Sequence, residues 1–425
     1  MHRFLNNSAM SGIILFFAAF ISLILSNSPW AEAFHHFWEI HFSIGFSGWQ
    51  LSKSLHHWIN DGLMAIFFFV VGLELKRELI SGELSNPRNA ALPIVAAIGG
   101  MLVPAVMYLV MNPSGAAAGG WGIPMATDIA FALGILSLLG DRVPVSLKVF
   151  LTALAIADDL GAVLVIAFFY TSEIDLASLL SGAGFFGILL IGNRMGVRNV
   201  LFYGIVGVGG LWLAFLLSGV HATIAAVLMA FTIPARVKVD EITYNKKLDE
   251  LRVCFKNACP NNFPTVTSEQ LNILKEIRKL SKLAETPLQR LEHALHPLVA
   301  FIIMPIFALA NSGTSFSAES LTQLTTPITL GVFLGLLLGK MLGVVGFVAL
   351  FVRLKWVVLP QDFTGRLLIG AGFLAGVGFT MSLFISKLAF TNTAFVEEAK
   401  MGILLASTIS GILGYFIIKN ATKPV

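Results

Sequence analysis

The amino-acid sequence predicts an all-α polytopic membrane protein with about twelve transmembrane helices. Three observations carry this. Of 425 residues, 56% are hydrophobic and only 12% charged, about half the charge of a soluble domain. The apolar residues gather into segments long enough to cross roughly 30 Å of hydrocarbon as helices. The lysines and arginines between those segments sort to one side. The 39 glycines and 35 phenylalanines fit packed membrane helices, where small residues let backbones approach. The net charge of +4 is spread along the chain and carries no nucleic-acid signal, and two cysteines exclude a disulfide framework.

The predicted spans are 10–27, 57–75, 90–111, 121–139, 147–171, 177–193, 199–216, 219–234, 291–311, 327–351, 366–388 and 395–418. Arg3, the apolar stretch 13–25 and Ala31-Glu32-Ala33 have the layout of a cleavable leader. A retained first span is expected instead, because the rest of the chain is itself a series of spans. After it, Phe42, Ile44 and Phe46 alternate with small or polar residues, and Ser47-Gly48 precedes Trp49 and Leu51. That alternation predicts a short β-hairpin, against an irregular loop with interfacial aromatics.

With the N-terminus in the cytoplasm, twenty-four of the twenty-eight Lys and Arg fall inside; Lys53, Lys387 and Lys400 fall outside and Lys340 lies within a span. Both termini are therefore expected in the cytoplasm. The 236–290 segment is an extended cytoplasmic loop. In it Leu271, Leu274, Ile277, Leu280 and Leu283 recur every three residues among Lys275, Arg278, Lys279 and Lys282, a basic amphipathic helix suited to an anionic leaflet. Cys254 and Cys259 read as plain thiols.

Function is carried by charges inside the apolar zone: Asp61, Asp128, the adjacent Asp158 and Asp159, and Lys340. Each acidic group at mid-bilayer costs roughly 2.5–3.5 kcal/mol on insertion scales, so something must offset it. Protons, a bound cation and a lysine are the candidates. Hard monovalent cations take oxygen ligands, by analogy with other hard cations, so carboxylates that alternate between proton and sodium or lithium give exchange on one site. Gly122 and Pro124 disturb the helix ahead of Asp128, and Thr127 and Asp128 are placed to cap a half-helix. Four glycines in 370–380 predict a second broken span. Lys340 needs a carboxylate partner or half-helix C-termini, with Asp158, Asp159 and Asp128 all open to it. His221 begins the eighth span outside. Glu74, Lys76, Arg77 and Glu78 end the second span inside, and Arg290, Glu292, His293 and His296 precede the ninth. From the residues alone, the inner group is either a titrating cluster or an interfacial charge belt.

These residues carry a family resemblance. TDIAFA at 127–132 with AIADDLG at 155–161 resembles the bacterial NhaA sodium/proton antiporters, as do VGLELKRE at 71–78, SGVHAT at 218–223, RLEH at 290–293, GK at 339–340 and GVGFTMS at 376–382. The resemblance covers essentially every span. It implies that spans three to five and ten to twelve are inverted repeats with two broken, crossing helices, a feature already known for this family. A short echo, GGML at 99–102 against GKML at 339–342, agrees.

The resemblance further implies that Asp158 and Asp159 carry cation and protons, and that Thr127 and Asp128 sit at the crossing as further ion- or proton-binding residues. Lys340 is then the compensating charge. Glu74, Arg77, Glu78, Glu292, His293 and His296 match a cluster proposed to sense pH, and His221 joins the candidates for that role. The expectation is an electrogenic, pH-regulated antiporter of the bacterial inner membrane, extruding sodium or lithium for protons. A homodimer through the outer hairpin is also implied. The protein is expected to be no enzyme and to need no cofactor. Two features depart from the family: the long 236–290 loop, and Gln289 where members can carry lysine.

Two other classes fit the sequence less well. A sodium-coupled symporter of organic anions on a related fold is opposed by Lys340 and by the lack of a polar organic-binding cluster. An intramembrane aspartyl protease using Asp128 and Asp159 lacks Gly-x-Gly-Asp, since Met125-Ala126-Thr127 precedes Asp128.

Overall fold

The computed structural model describes residues 8–46, 49–171, 175–258, 265–315 and 323–422. Helix α1 (Ser8–Ser26) turns by 115° into the short α2 (Ala31–Glu39). Strands β1 (His41–Phe46) and β2 (Trp49–Ser54) pair antiparallel, with Phe42 opposite Lys53, Ile44 opposite Leu51 and Phe46 opposite Trp49. The expected hairpin is therefore present. Its turn residues, Ser47 and Gly48, lie outside the described set.

Helix α3 (55–81) follows, with a π-helical turn at Trp58–Leu63. Next come α4 (Pro87–Met111), α5 (Ala116–Ser137), α6 (Val145–Phe169), α7 (Leu176–Arg194), α8 (Val200–Ser218) and α9 (Ala222–Thr232). The soluble pair α10 (Glu241–Asn257) and α11 (Ser268–Ala284) precedes α12 (Pro287–Asn311) and α13 (Pro327–Arg353). The chain ends with α14 (Gly365–Ala375), α15 (Phe379–Ala389) and α16 (Thr393–Ala421).

Among the described residues, eight helices (α4 to α8, α12, α13, α16) are long and apolar enough to cross a membrane. The count reaches ten when α14 with α15, and α1 with α2, are each taken as one bent span. The two predicted spans left over fall on α3, whose regular part Met64–Ser81 carries Glu74, Lys76, Arg77 and Glu78, and on α9, whose eleven residues reach only about 16 Å.

Tight glycine contacts fix how the helices meet. A Cβ on Gly343 of α13 would lie 2.1 Å from the Gly99 carbonyl oxygen of α4, and one on Gly99 would lie 2.3 Å from that of Gly343. The two helices thus touch backbone to backbone where the first residue of GGML meets the glycine that follows GKML. Helix α3 meets α9 in the same way, Gly72 facing Ala230.

The buried apolar residues form two clusters, and their boundary organises the molecule. On α6, Leu147 to Leu154 belong to one cluster and Ala162 to Ile166 to the other. On α13, Val332 and Leu336 belong to the latter, Val344 and Val348 to the former. Broken α5 passes from Ile123 and Ala126 in one cluster to Ala132 and Leu136 in the other; α14 and α15 change cluster between Ala375 and Val377. Asp158, Asp159, Lys340 and Asp128 all lie in this seam.

Replacing Gly343 by valine should be severe, because neither carbonyl can retreat without separating α4 from α13. The cost expected for such overpacking is about 1–3 kcal/mol or more. Gly346→Val, on the same helix but with open space around it, should be tolerated. Thermal melting of the detergent-solubilised variants, followed by size exclusion, checks this; equal melting of the two would show that the contact is loose.

Candidate functional site

Both breaks have local causes. In α5 the stretch Ala116–Met125 is a tight 3₁₀ coil, residues 126–128 are extended, and the α-helix resumes at Ile129–Ser137. Pro124, which has no N–H to give, lies at the end of the coil. Between α14 and α15 the axis bends by 45°. Gly376 and Gly378 have ordinary negative φ there, so space is what selects them. A Cβ on Gly376 would sit 2.4 Å from the Leu336 carbonyl, and one on Gly378 would sit 3.0 Å from that of Ala126.

The breaks satisfy each other. The Asp128 N–H donates to the Val377 carbonyl at 2.7 Å, and the Ser382 hydroxyl to that of Ile123 at 2.8 Å. Asp128 does more than cap its own half-helix through the Phe131 N–H (3.0 Å). Its other oxygen accepts the Thr380 N–H (3.1 Å) and the Thr380 hydroxyl at the start of α15. One carboxylate thus stands against two helix N-termini, where aligned peptide dipoles favour an anion.

The opposite charge lies on the other side of the seam. Lys340, fully buried, pairs with Asp158 through Oδ2. A π-helical turn at Gly335–Gly339 directly precedes it and rotates its position on α13. Facing it on α4 is Gly100, where a Cβ would come within 3.6 Å of Nζ. The same Asp158 oxygen lies 2.7 Å from the Thr127 hydroxyl, itself 2.8 Å from the Ala375 carbonyl at the end of α14. A hydroxyl has one proton, so it serves one of these acceptors at a time.

Asp159 is as buried as its neighbour, and one oxygen of each (Oδ1) has no hydrogen-bond partner. The dipoles of two helix ends support Asp128, and one ammonium supports Asp158. That leaves one buried carboxylate requiring a proton or a monovalent cation.

The peripheral candidates divide into two groups. Arg77 pairs with Glu292 (3.0 Å) and Glu78 (3.0 Å), and the second oxygen of Glu292 is buried without a partner. A cavity of about 100 Å³ is lined by Glu74, His296 and Asp128, so this cluster reaches the crossing. His293 is exposed beside it on α12. His221 is elsewhere: its Nε2 lies 2.8 Å from the Tyr170 carbonyl, in a separate cavity of about 310 Å³ with Asp61 and Lys387.

Three residues outside the candidate list act here. Thr380 binds Asp128, and its signal was its place just after the glycine break, mirroring Thr127 and Asp128. Lys76 donates to the Phe231 (2.6 Å) and Ile233 (2.5 Å) carbonyls, capping the C-terminus of α9. Gln289 closes a capping box with Thr286 at the start of α12: Thr286 Oγ accepts the Gln289 N–H (3.1 Å), and Gln289 Oε1 accepts from the Thr286 hydroxyl (2.9 Å). A lysine there could not accept.

Comparison with known proteins agrees with this architecture. Residues 2–418 match the family described as Na+/H+ antiporter 1. The chain is similar to the "Na(+)/H(+) antiporter NhaA" of Oleidesulfovibrio alaskensis, 53% identical over 98% of this chain and 93% of that one. A protein of the same description from Acidithiobacillus ferrooxidans is 52% identical over 97% and 95%, and one from Syntrophobacter fumaroxidans is 50% identical over 97% and 88%.

Lys340→Ala should lower stability by about 3–5 kcal/mol, because it strands a buried anion. Adding Asp158→Asn should restore part of that loss, since the stranded charge is then gone. Melting of the two single variants and the double variant closes the cycle; additive losses would mean that the pair is not coupled.

Proposed function

The chain belongs to the Na+/H+ antiporter 1 family, and we propose that its exchange runs through Asp158 and Asp159, with Lys340 as the standing counter-charge. The protein is a multi-pass membrane sodium/proton antiporter and not an enzyme. The observation that carries the site is the pair of adjacent buried carboxylates, each with an unpartnered oxygen, of which Asp158 alone pairs with Lys340.

Sodium or lithium, as substrate, takes the oxygens of Asp158 and Asp159 with the Thr127 hydroxyl within reach of the same group. The carboxylates cannot be stable as two bare anions in this seam. Each cation therefore displaces protons on arrival, and protons displace the cation on the other side. Release of both protons per cation moves net charge, so exchange is electrogenic. Asp128 holds the crossing of α5 and α15 through its capping bonds. The lysine and arginine asymmetry puts both termini on the cytoplasmic side of the bacterial inner membrane, and the inward proton gradient drives the cation out of the cytoplasm. Glu74, Arg77, Glu78, Glu292, His293 and His296 tune the pH response, since the cavity lined by Glu74 and His296 borders Asp128. His221 acts separately, on the hairpin side. A second copy joins through the hairpin, whose strands have open edges in the described chain; sizing of a hairpin deletion reads that contact.

Asp158→Asn and Asp159→Asn should each abolish sodium-driven collapse of ΔpH in everted vesicles while leaving expression intact. In the same assay, joint replacement of His293 and His296 should displace the pH profile and keep its maximum. Normal exchange in either Asn variant would remove that carboxylate from the carrier role, and an unchanged profile would move pH sensing to the carriers themselves.

The topology has its own test. With Cys259 replaced by serine, exposed Cys254 on α10 should react with an impermeant maleimide in everted vesicles and be protected in right-side-out cells. The reverse pattern would invert the assigned orientation.

A further inference from the structure

We propose that α11 is a docking surface for anionic phospholipid headgroups of the leaflet from which α9 and α12 emerge. Helix α11 turns one side to its partner. Leu280 is buried, Ile273 and Ile277 are half-buried, and Tyr244 of α10 meets Ser281 of α11 (3.2 Å). At about 100° per residue, Leu271, Leu274, Lys275, Arg278, Lys279 and Lys282 share the arc away from that face, within roughly 140°. All six are exposed, Leu271 at 44% and Leu274 at 41%. The acidic residues of α11, Glu269 and Glu276, fall outside that arc. Helix α10 offers no such segregation: exposed Lys246, Asp249, Glu250 and Lys256 mix both signs.

Position supports the same occupant. The base of the pair is stitched to the membrane-spanning part. The Lys238 N–H donates to the Leu283 carbonyl (3.0 Å) and the Leu288 N–H to that of Pro234 (3.2 Å). Arg198 donates to the carbonyls of Arg236 (2.9 Å) and Glu285 (2.7 Å). Helix α11 ends at Ala284 and α12 starts at Pro287, so all four cations lie within one helix length, about 25 Å, of the end of a span. Apolar residues amid cations with no acid match a sheet of anionic headgroups over acyl chains.

The full-length protein is tested in nanodiscs. Leu274→Cys in a Cys254→Ser, Cys259→Ser background carries an environment-sensitive fluorophore. In discs with about one-third phosphatidylglycerol, the emission should shift to the blue and be quenched by spin-labelled lipid. Both effects should be absent in phosphatidylcholine discs and weaken toward 0.5 M salt, where the screening length falls to roughly 4 Å. Replacing Lys275, Arg278, Lys279 and Lys282 by glutamine should abolish the shift, each cation contributing about fivefold to the partition. Hydrogen exchange of the unsubstituted protein is the second measurement: α11 amides should be slower in the anionic discs. Equal signals in both lipids, persistence in the glutamine variant, or a shift that needs an added soluble protein would each overturn the assignment.

Discussion

A helix broken inside an apolar layer leaves backbone N–H groups and carbonyls that water does not reach, and everything else at the centre of this molecule answers that deficit. The two broken elements are laid across each other so that each supplies partners for the other. What they cannot supply is charge. Two helix N-termini meet and call for an anion, which Asp128 provides to both at once. Asp128 is thereby hydrogen-bonded to the starts of both half-helices. The charge proposed to be exchanged lies on the neighbouring pair, where one ammonium contacts Asp158.

The same arrangement ties the pair to its surroundings. Lys340 on α13, Asp158 on α6, Thr127 on α5 and the last carbonyl of α14 form an unbroken polar chain. Because the Thr127 proton serves one acceptor at a time, any change in the protonation or ligation of Asp158 bears on a bond that holds the end of α14. A local event at one carboxylate is felt by four helices. These polar residues lie where two apolar clusters meet, a boundary along which packing can differ on either side without disturbing either interior.

Much of this was legible in the sequence because bilayer partitioning is decided by residue type alone. Span positions, the hairpin alternation and the isolation of Asp128, Asp158, Asp159 and Lys340 in apolar runs needed no knowledge of packing. The partner of Lys340 was not legible. Its direction depends on the π-helical turn at Gly335–Gly339, an extra residue per turn that no periodicity announces. The dual role of Asp128 depends on where α15 begins in space, and Thr380 shows it only after the crossing is known. Gln289, a departure from the family's lysine in the sequence, is a cap. The leucines of α11, read as one apolar stripe, divide between a buried contact and solvent.

The way α10 and α11 join the rest bears on how such a chain can diversify. Their entry and exit strands lie side by side, held by the bond from Lys238 to Leu283. The excursion between them is a closed detour, and its length is free of any geometric demand from the transport core. A shorter relative can arise by excising the detour in one step, and a longer one by extending its tip, with every span left in register. The same closure marks this point as the place to graft a folded reporter or a crystallisation chaperone onto the protein.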